Sequence, residues 1–471
     1  MVPPNAGSPA PGDGQPPLRE RAASALTRRR ILLAGGGLIG AGALGRLRTA
    51  TPDALRVAEG VWPFADRDSA RTSAAPAATP PTDPEVAWRR EPVPVVDSLI
   101  AGPERLYAGS GEREGEPPRV AALDRVDGDV LWTVTAPGAR LAYADGSVFA
   151  TGATIDGPDS GADDGPRDAV ARLDATTGET GWRRPLRNAG ERLLVTRRTV
   201  YVGSHDGLAA FGRDDGRSLF RARLLGGPTT PLLADGSLVV AGGSVGRYAG
   251  RRWSDVVLKR LSEPVWSRQP IGYTLDPTVV RGATGRGVAT GSFGLFDGEG
   301  TALRTHALAD GTREWHAVEV ERLPDPTVVK ELASAGDRLY HGVRTGTDAD
   351  RARRVVCRDA STGAVRWRRS LPNWLREVVV AGDLVLAGTR LDAVAAGSPS
   401  GPDGSDSDGS GSEPSPGRVT ALSTGGEVRW RHRIGGAVSQ VVPVSDRVFV
   451  GTDDLDYGGR SGAAGRVVAL E

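Results

Sequence analysis

The residues able to do chemistry are few and far apart in this 471-residue chain. Its five histidines, His205, His306, His316, His341 and His432, stand in different segments. None forms the His-x-x-x-His or His-Glu pairing that holds zinc. A single cysteine, Cys357, rules out an internal disulfide, a Cys-x-x-Cys redox centre, a zinc finger and a Cys-x-x-Cys-His haem site. Its expected role is that of a small core residue. Two stretches concentrate carboxylates: Asp156, Asp159, Asp163, Asp164 and Asp168 in one, Asp453, Asp454 and Asp456 in the other. Neither has the ligand spacing of a calcium loop, and both read as solvated loops. No Gly-x-Ser-x-Gly elbow occurs in a strand–turn–helix setting, and Gly35-Gly36-Gly37 lies in an apolar run, not in a phosphate-cradling loop. The arginines of two late segments (Arg366, Arg368, Arg369; Arg429, Arg431, Arg433) are expected on the outward side of edge strands, where charge opposes edge pairing. Fifty-nine basic against 58 acidic residues leave a net charge of +1, so no global field draws nucleic acid. No catalytic residue and no metal ligand are assigned.

What must carry any site is therefore a scaffold, and composition describes it. Glycine (65) and proline (34) are abundant, and Trp (10) outnumbers both Tyr (7) and Phe (7). Residues 1–48 read as an export segment: Arg28 and Arg29 precede a glycine-rich apolar run from Ile31 to Leu44, the shape of a twin-arginine signal. Cleavage and retention as an uncleaved anchor both stay open. Either way the expected location is extracytoplasmic, with membrane contact only through this segment. Residues 49–84, rich in Pro, Ala and Thr, are expected to form a disordered tether. The Gly/Ser/Asp/Pro stretch at 397–417 is expected to be a disordered insertion.

From residue 85 onward one phrase recurs: an apolar strand, Asp, a glycine turn, then Trp. It pairs Asp124 and Gly128 with Trp132, Asp174 and Gly178 with Trp182, and Asp359 and Gly363 with Trp367. Weaker copies end at Phe220, Trp266, Trp315 and Trp430, and Trp88 has the last strand of a unit without its beginning. Successive anchors are 38 to 63 residues apart. Several short strands per unit at such a period specify an all-β propeller of four-stranded antiparallel blades. Within the phrase, Asp bonds the backbone ahead, Gly takes positive φ, and Trp packs between blades. The chain ends in three strands lacking a fourth, so the Trp88 strand should close the ring and remove its free edge. Eight blades are expected, with seven, the unit at Trp266 being absorbed elsewhere, as the alternative.

This phrase resembles the tryptophan-docking repeat of the pyrroloquinoline-quinone-type propellers. That family includes quinoprotein alcohol dehydrogenases and the BamB-like propeller lipoproteins of outer-membrane assembly. The resemblance covers about residues 85–471 and concerns the blades. It implies, for the enzymes, a quinone beside Ca²⁺ in a central funnel, often stacked on a disulfide of adjacent cysteines. Cys357 alone cannot form that disulfide, so the resemblance favours the non-catalytic members. The expectation is a monomeric binding or scaffold protein with no cofactor, meeting a protein or envelope component through its long second-to-third strand loops (110–118, 154–168, 244–255, 292–301, 344–353, 389–417 and 452–465). A dehydrogenase using pyrroloquinoline quinone and Ca²⁺, and a sensor holding a small ligand in the central channel, are the alternatives.

Overall fold

A computed structural model describes residues 52–471 apart from 114–115, 154–167, 187–188, 206, 225–228, 249–260, 262, 269–272, 294–301, 319–328, 346–351, 373, 391–416 and 454–464. The described residues form strands and turns, without a helix. Arg28, Arg29 and the rest of residues 1–48, expected to be an export segment, lie outside them, as does the stretch 397–416 expected to be a disordered insertion. Gly417 already opens a strand.

Eight separate sheets make up the ring. Blade 1 runs Ser98–Ala101, Arg105–Ser110, Arg119–Asp124 and Val130–Thr135, each strand antiparallel to the next. The other inner, first strands are Arg140–Ala144, Ala189–Val195, Thr230–Ala234, Tyr273–Gly282, Val329–Ala335, Trp374–Ala381 and Ala437–Val444, opening blades 2 to 8. Each inner strand packs against the inner strand of the following blade, so together they line a central channel. Blade 4, which ends at Trp266–Arg268, is a sheet of its own, and the seven-blade alternative falls away. Blade 8 is completed by Val86–Val93, which pairs with Gly465–Leu470 and sets Trp88 opposite Ala469. The N–H and C=O of Glu85 exchange bonds with those of Glu471 (2.9 and 3.0 Å), closing the ring.

Apolar strands make these sheets because both faces of each blade are covered by a neighbour. Second strands such as Ser147–Ala153 and Leu384–Arg390 are buried almost throughout, whereas the outer Val365–Ser370 and Val428–Ile434 alternate between covered and exposed positions.

Residues 52–84 depart from the tether expected of them. They are folded against the inner strands at the end where first strands turn into second strands. The Asp53 carbonyl accepts from Arg197 N–H of blade 3 (3.1 Å). From Trp62 onward the segment follows the ring in blade order. Trp62 exchanges two bonds with Ala101 of blade 1 (2.8 and 2.9 Å), and Pro63 C=O accepts from Tyr143 of blade 2 (2.8 Å). Ser69, Ala70, Thr72 and Ser73 carbonyls then accept from Leu233, Val279, Ser334 and Val380, of blades 4, 5, 6 and 7, at 2.7 to 3.0 Å. Ala74–Ala75 adds a parallel strand to the blade 7 sheet, and Thr79 N–H donates to Ser445 C=O of blade 8 (2.7 Å). The physical reason is edge satisfaction: an innermost strand presents unpaired backbone groups to the channel, and this segment pairs them. Trp62 and Phe64 bury their side chains in the core while doing so.

Candidate functional site: the central channel and its loop-bearing face

Blade-to-blade docking sets the shape of the channel. At six of the joints the six-membered ring of the docking Trp lies over the turn glycine of the next blade. A Cβ on Gly128 would come within 2.6 Å of Trp88, and one on Gly178 within 2.9 Å of Trp132. Gly216, Gly311, Gly363 and Gly426 stand in the same relation to Trp182, Trp266, Trp315 and Trp367, all at positive φ. The indole N–H donates to a carbonyl of that turn: Trp132 to Ala175 (3.3 Å), Trp182 to Arg213 (2.9 Å), Trp266 to Leu308 (2.8 Å), Trp315 to Ala360 (2.9 Å) and Trp367 to Thr424 (2.8 Å). Trp430 faces the ring closure and donates instead to Pro81 C=O (2.8 Å), so the folded N-terminal segment supplies the missing turn carbonyl. Phe220 has no N–H to give, and blade 4, which follows it, has no Asp-to-Gly turn. The weakest repeat is degenerate on both sides of one joint.

The turn aspartates act through backbone N–H groups. Asp124 Oδ1 accepts from Val126 (2.7 Å), and Asp174 Oδ1 from Thr176 and Thr177 (2.8 and 2.9 Å). Asp359 takes Ser361 and Thr362 (both 3.0 Å), together with the Ser361 hydroxyl and Arg366. These bonds hold the Asp174 and Asp359 carboxyls below the ordinary carboxylate range, through the backbone N–H bonds for Asp174 and led by the Ser361 hydroxyl for Asp359.

The outer-strand arginines do more than deter edge pairing, and here the earlier reading is corrected. Arg184, Arg268 and Arg369, each two residues past a docking Trp, donate to Gly216, Gly311 and Gly426 carbonyls at 2.9 to 3.0 Å. Arg366 pairs with Asp337 and Asp359 inside its own blade. They are clasps between and within blades.

Inside the channel, polar side chains of the inner strands cap the N–H groups of the next blade. Ser98 Oγ accepts from Leu141 (3.0 Å), Gln440 from Leu99, and Glu377 from Val441. Glu377 is half-buried, and desolvation pushes its carboxyl well above the usual range, aided by Glu331 and Asp66 nearby. Asp66 is paired with Arg71 of the same N-terminal segment. Gln440 does for blade 1 what Glu377 does for blade 8, without a charge to bury. Because the folded protein holds the Glu377 proton more tightly than the unfolded chain, its stabilising effect is complete below the ordinary carboxylate pKa and fades as pH rises through the elevated value. Glu377→Gln is therefore expected to stabilise the protein at neutral pH, with an advantage over wild type that widens from pH 5 to 8. Glu377→Leu strands the Val441 N–H and is expected to cost about 1–3 kcal/mol at pH 5, a cost that shrinks as pH rises and the wild type loses its own contribution. Urea unfolding across that pH range checks both, and a pH-independent difference for the glutamine variant contradicts the assignment.

At the loop-bearing end, Asp97 accepts from Gly111 N–H (2.7 Å) and Arg113 (2.8 Å), and Arg376 bonds Asp453 (2.7 Å). Asp453 is buried, and desolvation raises its carboxyl despite Arg376. It ends a strand of blade 8 and so differs from the solvated loop residue expected of it. Asp168 likewise opens a strand, whereas Asp156, Asp159, Asp163, Asp164, Asp454 and Asp456 lie outside the described residues. The loop at 244–255 is also corrected: residues 242–244 make a short second-to-third turn, and the long connection, 249–265, joins the third strand of blade 4 to its fourth on the opposite face. The remaining long loops do join second to third strands, with most of their residues outside the described set.

The histidines divide among blades 3, 5, 6 and 7. His306 is buried, its pKa lowered to about 4 by desolvation and neighbouring arginines, and His341 accepts from Arg358 (3.2 Å). Cys357 sits in the third strand of blade 6, fully covered, its thiol pushed up to about 11 by burial. Among the described residues no three His, Cys, Asp or Glu side chains are grouped to hold a metal ion. Among the described residues the donors fit a quinone with calcium poorly: Cys357 is two strands from the channel, Asp453 is engaged by Arg376, and Glu377 is biased toward its neutral form.

Eight blades, six of their joints locked by tryptophan over glycine, define a tryptophan-docking β-propeller. Its repeat matches that of the pyrroloquinoline-quinone-type, BamB-like propellers. A family profile described as outer membrane protein assembly factor BamB matches residues 166–254 and 298–406. No curated protein matches the sequence. Among solved structures, a europium-containing methanol dehydrogenase is 14% identical, covering 87% of this chain and 98% of its own, at a TM-score of 0.60. Quinohemoprotein alcohol dehydrogenase from Comamonas testosteroni is 12% identical over 88% of this chain and 81% of its own, also at 0.60. BamB from Moraxella catarrhalis is 15% identical over 82% of this chain and 97% of its own, at 0.51. At such identities the fold is what is shared.

Proposed function

We propose that the protein is an exported, non-catalytic propeller that binds a protein or envelope component through the face bearing its second-to-third strand loops. The observation that carries this reading is the course of residues 53–81. They run along the inner strands at the turn face and pair the backbone edges there, which leaves the opposite face for recognition. The channel's polar side chains support it, since Ser98, Gln440 and Glu377 are spent on joining blades. Long loops on a rigid ring are where recognition is usually carried. Export rests on Arg28 and Arg29 ahead of the apolar run, and on the likeness to a protein of outer-membrane assembly.

The test places a photoreactive residue at Glu112, exposed on the loop-bearing side, or at Asp145, in a turn of the other face. Crosslinking in the exporting cell is expected to capture a discrete envelope protein from Glu112 and not from Asp145. Capture from Asp145 alone, or from neither, overturns the reading. So does quinone absorbance with dye reduction after pyrroloquinoline quinone and Ca²⁺ are added.

A further inference from the structure

Seven of the eight outer strands carry arginine. Arg89 and Arg90 stand in blade 8, Arg183 and Arg184 in blade 2, Arg221 in blade 3, Arg268 in blade 4 and Arg313 in blade 5, with blades 6 and 7 carrying three each. The outer strand of blade 1 carries no charge at all: Val130-Leu131-Trp132-Thr133-Val134-Thr135. Where blades 2, 4, 6 and 8 place Arg184, Arg268, Arg369 and Arg90 two residues past the Trp, blade 1 has Val134, which packs with Trp132 on Gly178. Its composition is that of a strong strand former. Its sheet ends on it, so among the described residues its outer backbone edge has no partner. Val130 is 47% exposed, Leu131 45%, and Val126 in the preceding turn 71%. Charge is how propeller edges avoid pairing, and this one edge lacks it.

We propose that this strand pairs antiparallel with the same strand of a second copy, giving a twofold dimer with an eight-stranded sheet running through both blades 1. The choice of occupant follows from charge. In a twofold edge pairing each strand meets its own sequence, so the edges of blades 6 and 7, with three arginines each, would bring cations together, and like charges on facing strands are destabilising. Val130–Thr135 meets itself with no charge on either strand. Asp127 and Asp129 precede the strand, and the antiparallel arrangement sends the two copies' acidic turns to opposite ends of the pairing. Leu131, Thr133 and Thr135 are exposed and free to face the partner, while Trp132 and Val134 stay engaged on blade 2. One strand with its flanks falls short of the ~800 Å² per partner of a stable dimer, so the association is reversible. It replaces the monomer expected from the sequence and leaves the loop-bearing face unobstructed.

Sedimentation velocity on the full-length chain over a hundredfold concentration range tests it. The wild type is expected to shift from monomer to dimer as concentration rises. Leu131→Arg and Thr133→Arg, which install the cation that other edges carry, are expected to remain monomeric to at least tenfold higher concentration. Thr133→Val, a neutral change at the same place, is expected to dimerise like wild type. Amide exchange within 130–135 is expected to slow with concentration in the wild type alone. Both positions changed, Leu131 and Thr133, lie on the surface, and an unchanged melting temperature verifies the fold. A wild type monomeric throughout, with its 130–135 amides unprotected, overturns the proposal and leaves the edge to another chain. Arginine variants that associate like wild type also overturn it, the result expected if the apolar run at 31–44 drives association.

Discussion

Trp62→Ala is expected to lower the unfolding free energy by about 3–5 kcal/mol, the cost of truncating a buried aromatic side chain. Trp62 has no exposed surface and packs in a cluster with Ala101, Val442 and Phe449 of the ring-closing blades. Its backbone exchanges two bonds with Ala101, and its indole N–H donates to Ala65 C=O (3.2 Å). Losing the ring leaves a cavity at the point where the segment enters the channel. It also loosens the strap whose carbonyls cap the inner strands of blades 4 to 7. Trp62→Phe, which keeps most of the apolar surface, is expected to recover more than half of the loss. Urea unfolding followed by far-UV circular dichroism measures both. A residue in a solvated tether would change stability by no more than about 0.5 kcal/mol, so a loss that small would remove the segment from the fold.

The second large effect is at a turn. Gly363→Ala is expected to cost about 2–4 kcal/mol, combining a residue forced into the left-handed region with overpacking against an aromatic ring. Gly363 has φ of +74°, and an added Cβ would lie 2.6 Å from Trp315 Cε3. Trp315 is buried and its N–H is committed to Ala360 C=O, so the ring has little freedom to retreat. Gly336→Ala is the control, because its φ of +60° is similar and nothing lies within 4 Å of its Cβ position. It is expected to cost only the backbone strain, about 1–2 kcal/mol. Equal losses at the two glycines would mean that tryptophan docking contributes nothing beyond the turn.

The blades were legible because their signal is local and repeated. Asp174, Gly178 and Trp182 lie within nine residues, and the chemistry of that turn is complete without reference to anything distant. The closure through Trp88 was legible for a related reason: three strands without a fourth and one without its three can only complete each other. The strap was not. Its Pro, Ala and Thr content is that of a linker, and its backbone bonds go to eight different blades, at partners from Ala101 to Ser445. One signal was present, the apolar Val61-Trp62-Pro63-Phe64, which a solvated tether has no reason to carry. Glu377 was missed because nothing in its neighbours by sequence marks it; its role comes from Val441, 64 residues further on. The outer arginines were read by alternation alone, which places a side chain outward but cannot say that the next blade's turn carbonyl lies within its reach.

The amino-acid sequence by itself thus determined the repeat, the blade architecture and the joint between the chain's two ends, because each rests on a turn or a strand that carries its own instructions. The lone cysteine and scattered histidines likewise bounded the chemistry, since residue types cannot be added by folding. Only the tertiary structure decided where unpaired backbone groups find partners. Eight inner strands present their edges to one axis only after the ring closes, and residues 53–81 are held there by bonds that exist nowhere along the chain. The same closure set the Glu377 carboxyl against Val441 of the next blade, and it left the uncharged Val130–Thr135 as an outer blade edge.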